Sequence, residues 1–377
     1  MAGLYIHIPF CLSKCAYCGF YSQPSLKRKS EFLEALKQEI VSRRDYLHDE
    51  PVETVYFGGG TPSILSIEEL RAVFDTLHDN FEIDQEAEIT LEANPDTLSK
   101  EYLNGLRSLG VNRLSIGIQS FFDNDLKYLS RRHQSEHALQ SVNWAKEVGF
   151  SNISLDLIYG LPTSNEEQWN RNLDLFFELN VPHLSAYALT LEPNSILTKQ
   201  IEQGKVSPVN EDDAVRDYEI LCRRAAENGF LHYEISNFCR PGMHSRHNSS
   251  YWNGTPYIGL GAAAHSYDIR SRSWNVADIR QYIEGMERGE RIFEEELLDD
   301  DTRYNDIVTV ALRTKEGIQL NALSDKYRNY CIKNARRYLD DGLLELSTAE
   351  GAESPTLHLS RRGLFVSDMV MSDLMMV

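Results

Sequence analysis

Along the chain, short runs rich in β-branched and aromatic residues alternate with longer runs whose apolar residues return every three or four positions. The short runs predict strands over Leu4–Ile8, Thr54–Phe57, Glu88–Glu92, Arg113–Ile118, Ile153–Tyr159 and His183–Leu189. The longer ones predict amphipathic helices over Ser30–Arg44, Ser66–Leu77, Ser99–Leu109, Ser135–Val148 and Glu166–Leu179, several opened by a Ser, Thr or Asn cap. Alternating strands and helices are the pattern of a parallel α/β sheet covered by helices. Six such units make a partial (β/α)6 barrel, which places chemistry on the loops at the carboxyl ends of its strands. Cys11–Cys18 follow the first strand, and Gly58–Gly60 follow the second.

After Asn210 the pattern changes. A further helical stretch leads to His232–Phe238 and then to a Gly-, Pro- and His-rich loop through Gly261, dense in aromatic residues, that reads as an appendage to the barrel. The acidic run Glu294–Asp301 marks a boundary. Beyond it, two helical segments precede Leu343–Ser347, Leu357–Ser360 and a final helix, an order that suggests a small winged-helix-like α+β module used for packing or docking. The expected division is therefore a core barrel over 1–235, an appended segment over 236–298 and a C-terminal domain over 299–377.

Length fits this division, since 377 residues exceed the ~250–300 at which single cores stop growing. No apolar run approaches the roughly 20 residues of a spanning helix, and the first ten residues carry no export signal, so a cytoplasmic protein is expected, with any membrane association peripheral or through a partner. A formal net charge of −19 argues against nucleic acid and anionic lipid as general partners, because both reward basic surfaces. Of six cysteines, three lie within eight positions, whereas Cys222, Cys239 and Cys331 are scattered. In a reducing compartment, clustered thiols mean metal or catalysis more often than disulfides.

The cluster is Cys11-Leu-Ser-Lys-Cys15-Ala-Tyr-Cys18, a C-x3-C-x2-C triplet. Three thiolates on one short loop can hold three corners of an iron–sulfur cube and leave the fourth iron open to a small chelating molecule. A structural zinc site would want four ligands, and an ordinary ferredoxin a fourth Cys; His7 lies within a strand and is a poor loop ligand.

This triplet, placed directly after an N-terminal strand and followed by βα units, resembles the radical S-adenosylmethionine (SAM) superfamily. The resemblance implies a [4Fe-4S] cluster on Cys11, Cys15 and Cys18, with SAM on the open iron. It also places Gly58-Gly59-Gly60-Thr61-Pro62 against the methionine end of SAM, where glycines let backbone approach a ligand. Glu92, Gln119, Asp156 and Arg131 are polar where a structural reading expects apolar residues, and together they make a plausible SAM shell.

Read in order, Tyr5-Ile-His-Ile-Pro-Phe-Cys11, Gly58-Gly-Gly-Thr-Pro62, Ser115-Ile-Gly-Ile-Gln-Ser120 and Asp156-Leu-Ile-Tyr-Gly-Leu-Pro162 are similar to the oxygen-independent coproporphyrinogen III oxidase group over nearly the whole chain. Phe20 stands where that oxidase has a fourth Cys, Cys11 is almost terminal, and Arg246-His247-Asn248-Ser249-Ser250-Tyr251-Trp252 matches the H-N-x-x-Y-W signature of the group's heme-chaperone branch. By this resemblance Tyr5, Tyr17, Gly59, Gly60, Thr61, Glu92, Gln119, Arg131, Asp156 and Ala188 contact SAM, and His247 is the heme-ligand candidate, with His265 second. A loop histidine that only caps backbone is the structural alternative for His247, and a metal site of Cys239, His244 and His247 is another.

The function so implied is heme binding and delivery to acceptor hemoproteins, such as respiratory enzymes at the inner membrane face, with an electron donor for the cluster and cluster-dependent homodimerisation. The alternative is radical oxidative decarboxylation of coproporphyrinogen III to protoporphyrinogen IX, so the resemblance leaves open whether the chain is an enzyme. A third reading is electron transfer or regulation through the C-terminal module.

Overall fold

The computed structural model describes residues 2–193, 195–348 and 355–376. The chain opens with β1 (Ala2–Ile8), α1 (Lys29–Ser42), β2 (Val52–Gly59), α2 (Ile67–Asn80), β3 (Ile83–Ala93), α3 (Lys100–Ser108) and β4 (Arg113–Gln119). It continues through α4 (Asp123–Tyr128), α5 (Ser135–Glu147), β5 (Asn152–Tyr159), α6 (Glu166–Glu178) and β6 (His183–Ala188). Each strand and helix expected from the hydrophobic pattern up to this point is present. Caps set several helix starts. Ser66 and Glu69 form a reciprocal capping box at α2, as do Asn165 and Gln168 at α6.

β1 to β6 lie side by side in chain order, all parallel, and curve into an open barrel. Their outward residues, such as Leu4, Ile6, Val55, Phe57, Leu91, Leu114 and Leu155, pack under the helices in one continuous core with Phe32, Leu36, Phe74 and Trp169. Each such side chain contributes about 1.5–3 kcal/mol on burial. The inward residues are of another kind. Thr54, Tyr56, Glu88, Thr90, Arg113, Ser115, Ser154, His183 and Ser185 are buried and polar or aromatic.

The chain then runs through α7 (Ile196–Glu202), α8 (Glu211–Glu227), β7 (Leu231–Glu234), β8 (Asn237–Cys239), α9 (Arg246–Trp252), β9 (Tyr257–Leu260), β10 (His265–Tyr267), β11 (Ser271–Asn275), α10 (Ile279–Glu287) and β12 (Phe293–Leu297). This stretch extends the barrel sheet at both edges: β8 pairs antiparallel with β6, while β9 pairs parallel with β1 and is followed outward by β10, β11 and β12. Glu39 of α1 ties the second extension down. It accepts from the Gly261 amide (2.8 Å), the Asn275 side chain (2.8 Å) and the Tyr282 hydroxyl (2.7 Å), with Arg43 at 3.2 Å. A carboxylate buried this deeply is tolerated because each of its oxygens is hydrogen-bonded.

The remaining elements are α11 (Asp300–Ala311), β13 (Ile318–Gln319), α12 (Asp325–Asp340), β14 (Leu344–Ser347), β15 (Thr356–Leu359) and α13 (Ser367–Leu374). Their small antiparallel sheet, ordered β13-β15-β14, and its helices enclose a separate core that includes Tyr304, Val308, Cys331, Tyr338 and Met371. The acidic run does not lie wholly outside the large sheet: Glu294 to Glu296 form edge strand β12, and only the residues after Leu297 turn away into α11. No helix among the described residues is long and apolar enough to cross a membrane.

Candidate functional site

The loop between β1 and α1 carries the three cysteines and is pinned from both sides. The Cys11 amide donates to the Gln23 carbonyl (3.0 Å) and the Gln23 amide to that of Pro9 (2.8 Å). Ala16, buried against Leu129, Ile158, Leu161, Leu189 and Leu197, exchanges backbone bonds with Leu129 (3.1 Å) and Leu197 (2.8 Å). Held this way, Cys11, Cys15 and Cys18 are half-buried and face one cavity of about 530 Å3 at the carboxyl end of the barrel. The Thr61 hydroxyl donates to the Cys11 sulfur (3.5 Å), and the Arg131 guanidinium to the Cys15 sulfur (3.3 Å). Such donors orient the sulfurs, as the outer contacts of metal-binding side chains do.

Beside them the glycine run is required by contact. A β-carbon on Gly59, whose φ is +107°, would lie 2.5 Å from the His7 ring, and one on Gly60 would lie 2.6 Å from the Phe10 carbonyl oxygen. The Gly60 and Thr61 amides donate to Ile8 (2.9 Å) and Phe10 (2.8 Å), which stitches this run to the cysteine loop.

Three carboxylates line the same space: Glu92, Asp156 and the exposed Glu192. Glu92 accepts from the Tyr56 hydroxyl (2.8 Å) and the Gly59 amide (3.2 Å), and burial pushes its carboxyl up to about 7. Asp156 accepts from Ser115 (3.2 Å), and burial pushes it up to about 6. Arg131 adds bonds to Asn94 (2.6 Å) and the Gly117 carbonyl (2.7 Å), which fixes its direction. Gln119, which ends β4, sits at φ +68°, a strained conformation for a non-glycine residue of the kind found where side chains are aimed at ligands. Tyr17 and Ala188 line the cavity with these groups.

Tyr5 and His247 are not on the cavity wall. Tyr5 lies below it, its hydroxyl 3.1 Å from His7 Nδ1 and its ring against Tyr56. His247 is buried on α9, which plugs the amino end of the barrel: Nδ1 is hydrogen-bonded to Thr54 Oγ1 (2.8 Å), Nε2 to the Tyr251 hydroxyl (2.9 Å), and the ring stacks on Tyr56 with centroids 5.0 Å apart. Burial, with the Arg113 charge nearby, pushes its imidazole down to about 3. In this conformation both nitrogens are engaged, and neither has a lone pair free for an iron. His265 stands exposed on β10, stacked on Trp274 at 5.7 Å. Cys239 is buried on β8 beside His183, and among the described residues no three Cys, His, Asp or Glu side chains form a compact set for one metal ion; Cys239, His244 and His247 therefore make none. The three loop thiols likewise face a shared space without converging on a point.

Tyr56, Asn94, Ser185 and Tyr187 also line the cavity without having been expected there, as do Ser115 and Asn248, which the sequence marks only as members of motifs. The available signal was the period of two. In β2 to β6 the residues that point inward, Thr54 and Tyr56, Glu88 and Glu92, Arg113 and Ser115, Ser154 and Asp156, His183 and Ser185, are polar or aromatic in step with apolar outward neighbours. Asn248 lacks the strand alternation, since it reaches the cavity from the plug helix, and its signal is its place in the H-N-x-x-Y-W signature.

Residues 5–176 match the model of the radical SAM superfamily. That superfamily goes with a [4Fe-4S] cluster and SAM, and the donor set here fits both: three thiols for three irons, hydrogen-bond donors to two of them, three acidic side chains and a guanidinium in a cavity of ligand size. The solved structure of coproporphyrinogen III oxidase (HemN) from Escherichia coli, a radical SAM enzyme, has the same fold, with a TM-score of 0.84 over 99% of this chain and 89% of that one at 24% identity. Heme chaperone HemW from Mycobacterium tuberculosis is 34% identical over 99% of this chain and 94% of its own. Heme chaperone HemW from Bacillus subtilis is 32% identical over 97% and 95%. With a radical SAM match over its first half and similarity to these relatives from end to end, the chain belongs to the HemW family of radical SAM proteins.

Proposed function

We propose that this chain binds heme and hands it to acceptor hemoproteins, carrying a SAM-bound [4Fe-4S] cluster on Cys11, Cys15 and Cys18. The observation that carries the reading is the end-to-end similarity to proteins named heme chaperone HemW. Phe20 supports it. It is 71% exposed at the cavity mouth, at the position where the oxidase pattern has a fourth Cys, and an exposed ring there is a face for a flat macrocycle.

Bound together, cluster and SAM supply one-electron cleavage of the C5′–S bond. The chain's own part is positional. Thr61 and Arg131 donate to the Cys11 and Cys15 sulfurs; with SAM bound, Gly59 and Gly60 would admit its methionine end, Glu92 and Asp156 would accept from its hydroxyls and ammonium, and Gln119, Tyr17 and Ala188 would close the sides. Tyr5 contributes from below through Tyr56. His247 is the heme-ligand candidate by its place in the signature, although both its nitrogens are engaged here by Thr54 and Tyr251, and His265 is the exposed alternative.

The wider reading takes 1–235 as the SAM barrel, 236–298 as the segment with the heme signature and 299–377 as a winged-helix-like docking domain. It places the protein in the cytoplasm, with an electron donor, a homodimeric state and respiratory acceptors at the inner membrane face as partners, and no nucleic acid. The test is transfer: heme-loaded protein mixed with an apo-hemoprotein should lose its heme absorbance as the acceptor gains it, and a heme complex that never exchanges would overturn the proposal. The alternative, oxidative decarboxylation of coproporphyrinogen III, draws its support from the fold shared with HemN.

A further inference from the structure

Beneath the cavity floor, α9 meets the barrel through a set of contacts that the heme reading does not use. Glu88 of β3 caps the helix start, accepting from the Arg246 and His247 amides (both 3.1 Å). The His247 ring is then fixed at both nitrogens by Thr54 and Tyr251, as described above, and lies flat against Tyr56, 25° from parallel at 5.0 Å. Tyr5 supports the same Tyr56 ring from another side at 6.1 Å. The hydroxyl of Tyr56 is the donor to Glu92 at 2.8 Å, and Glu92 is a wall of the cavity. Asn248, next along α9, reaches the cavity itself. A continuous path of contact therefore runs from the helix that carries the signature to a carboxylate at the SAM site.

We infer that His247 is a positioning residue for SAM binding: it holds the Tyr56 ring so that the phenol keeps Glu92 aimed into the cavity. This rests on the SAM-site reading above and extends it to a residue outside the pocket. Loss of the imidazole leaves a void under Tyr56 and two buried hydroxyls, of Thr54 and Tyr251, without their partner, so the ring can sink and its hydroxyl leave Glu92. The expected cost to SAM affinity is that of one hydrogen bond to a charged group, about tenfold.

The experiment measures SAM dissociation constants anaerobically on cluster-loaded protein for wild type, His247→Ala, Tyr56→Phe and the double variant. Each single change should weaken SAM by about tenfold, and the double variant should be no weaker than the worse single one, because both act on one carboxylate. A second readout separates positioning from loss of structure. Glu92 is faced by Tyr5, Tyr56, Arg113, Asp156, Tyr187 and Tyr251, and the Tyr56 bond holds its titration down. Both single variants should therefore move the pH midpoint of SAM binding upward, while His247→Gln, which can still bond a hydroxyl, should restore much of the affinity. If His247→Ala does not fold, the cycle of His247→Leu, which fills the space but bonds neither hydroxyl, with Tyr56→Phe reads the same coupling. SAM affinity and midpoint unchanged on altering His247, or effects of the two residues that multiply, would overturn the inference. Wild-type protein that binds no SAM would overturn the SAM reading as well.

Discussion

The guanidinium of Arg131 lies 3.3 Å from the sulfur of Cys15, although 116 positions separate them in the chain. The same side chain bonds Asn94 and the Gly117 carbonyl, so β3, β4 and the cysteine loop are referred to one charge. Cys11→Ser, Cys15→Ser and Cys18→Ser should each abolish a stable cluster. Cys331→Ser, which alters only the C-terminal core, should not. Iron and sulfide analysis after anaerobic reconstitution checks this, and wild-type iron in the Cys15 variant would count against the assignment.

Glu92 should make SAM binding pH-dependent. Its carboxyl titrates at about 7 because it is buried, and cationic SAM favours the ionised form. Affinity should then be at least about tenfold weaker at pH 6 than at pH 8, and Glu92→Gln should bind weakly and keep only the smaller dependence that Asp156, raised to about 6, contributes. Calorimetric titration at the two pH values decides it; a flat profile in wild type would show that another group governs binding.

Gly59→Ala should be far more damaging than Gly204→Ala. Both positions have positive φ, +107° and +65°, but a β-carbon at 59 meets the His7 ring at 2.5 Å whereas at 204 it meets nothing within 4 Å. Strain alone costs about 1 kcal/mol, and the clash raises the cost at 59 to about 3 kcal/mol. Chemical denaturation of the two variants measures the gap, and equal losses would refute the contact argument.

The barrel was legible because its signals are local. Strand runs, Ser66 and Asn165 caps and the cysteine spacing can each be read within a dozen residues. What was not legible depends on pairings across the chain. β9 inserts beside β1, more than two hundred residues away, and β12 escapes notice because all five of its residues are exposed, so no apolar alternation marks it. The place of His247 shows the same limit: a motif states which residues recur but not that the ring is locked between Thr54 and Tyr251.

Acid should test how His247 is buried. Its imidazole is held down to about 3, so its contribution to stability is complete above its ordinary pKa of 6.5 and is lost as pH falls toward 3. At pH 5 that loss is ~2 kcal/mol. Glu92 and Asp156, raised by burial, run the opposite way and gain as pH falls, so the informative quantity is a difference. The stability advantage of wild type over His247→Gln should shrink by ~2 kcal/mol between pH 7.5 and pH 5, read from denaturant midpoints. A constant gap would mean that the imidazole is not excluded from protonation.

The central claim is that this radical SAM barrel serves heme handling rather than porphyrinogen oxidation. Anaerobic reconstitution with iron, sulfide and SAM, followed by parallel assays on one preparation, tests it most directly. Saturable heme binding with no protoporphyrinogen IX formed from coproporphyrinogen III is the predicted result. SAM-dependent decarboxylation with release of 5′-deoxyadenosine would contradict it and make Phe20 a tolerated departure within an oxidase.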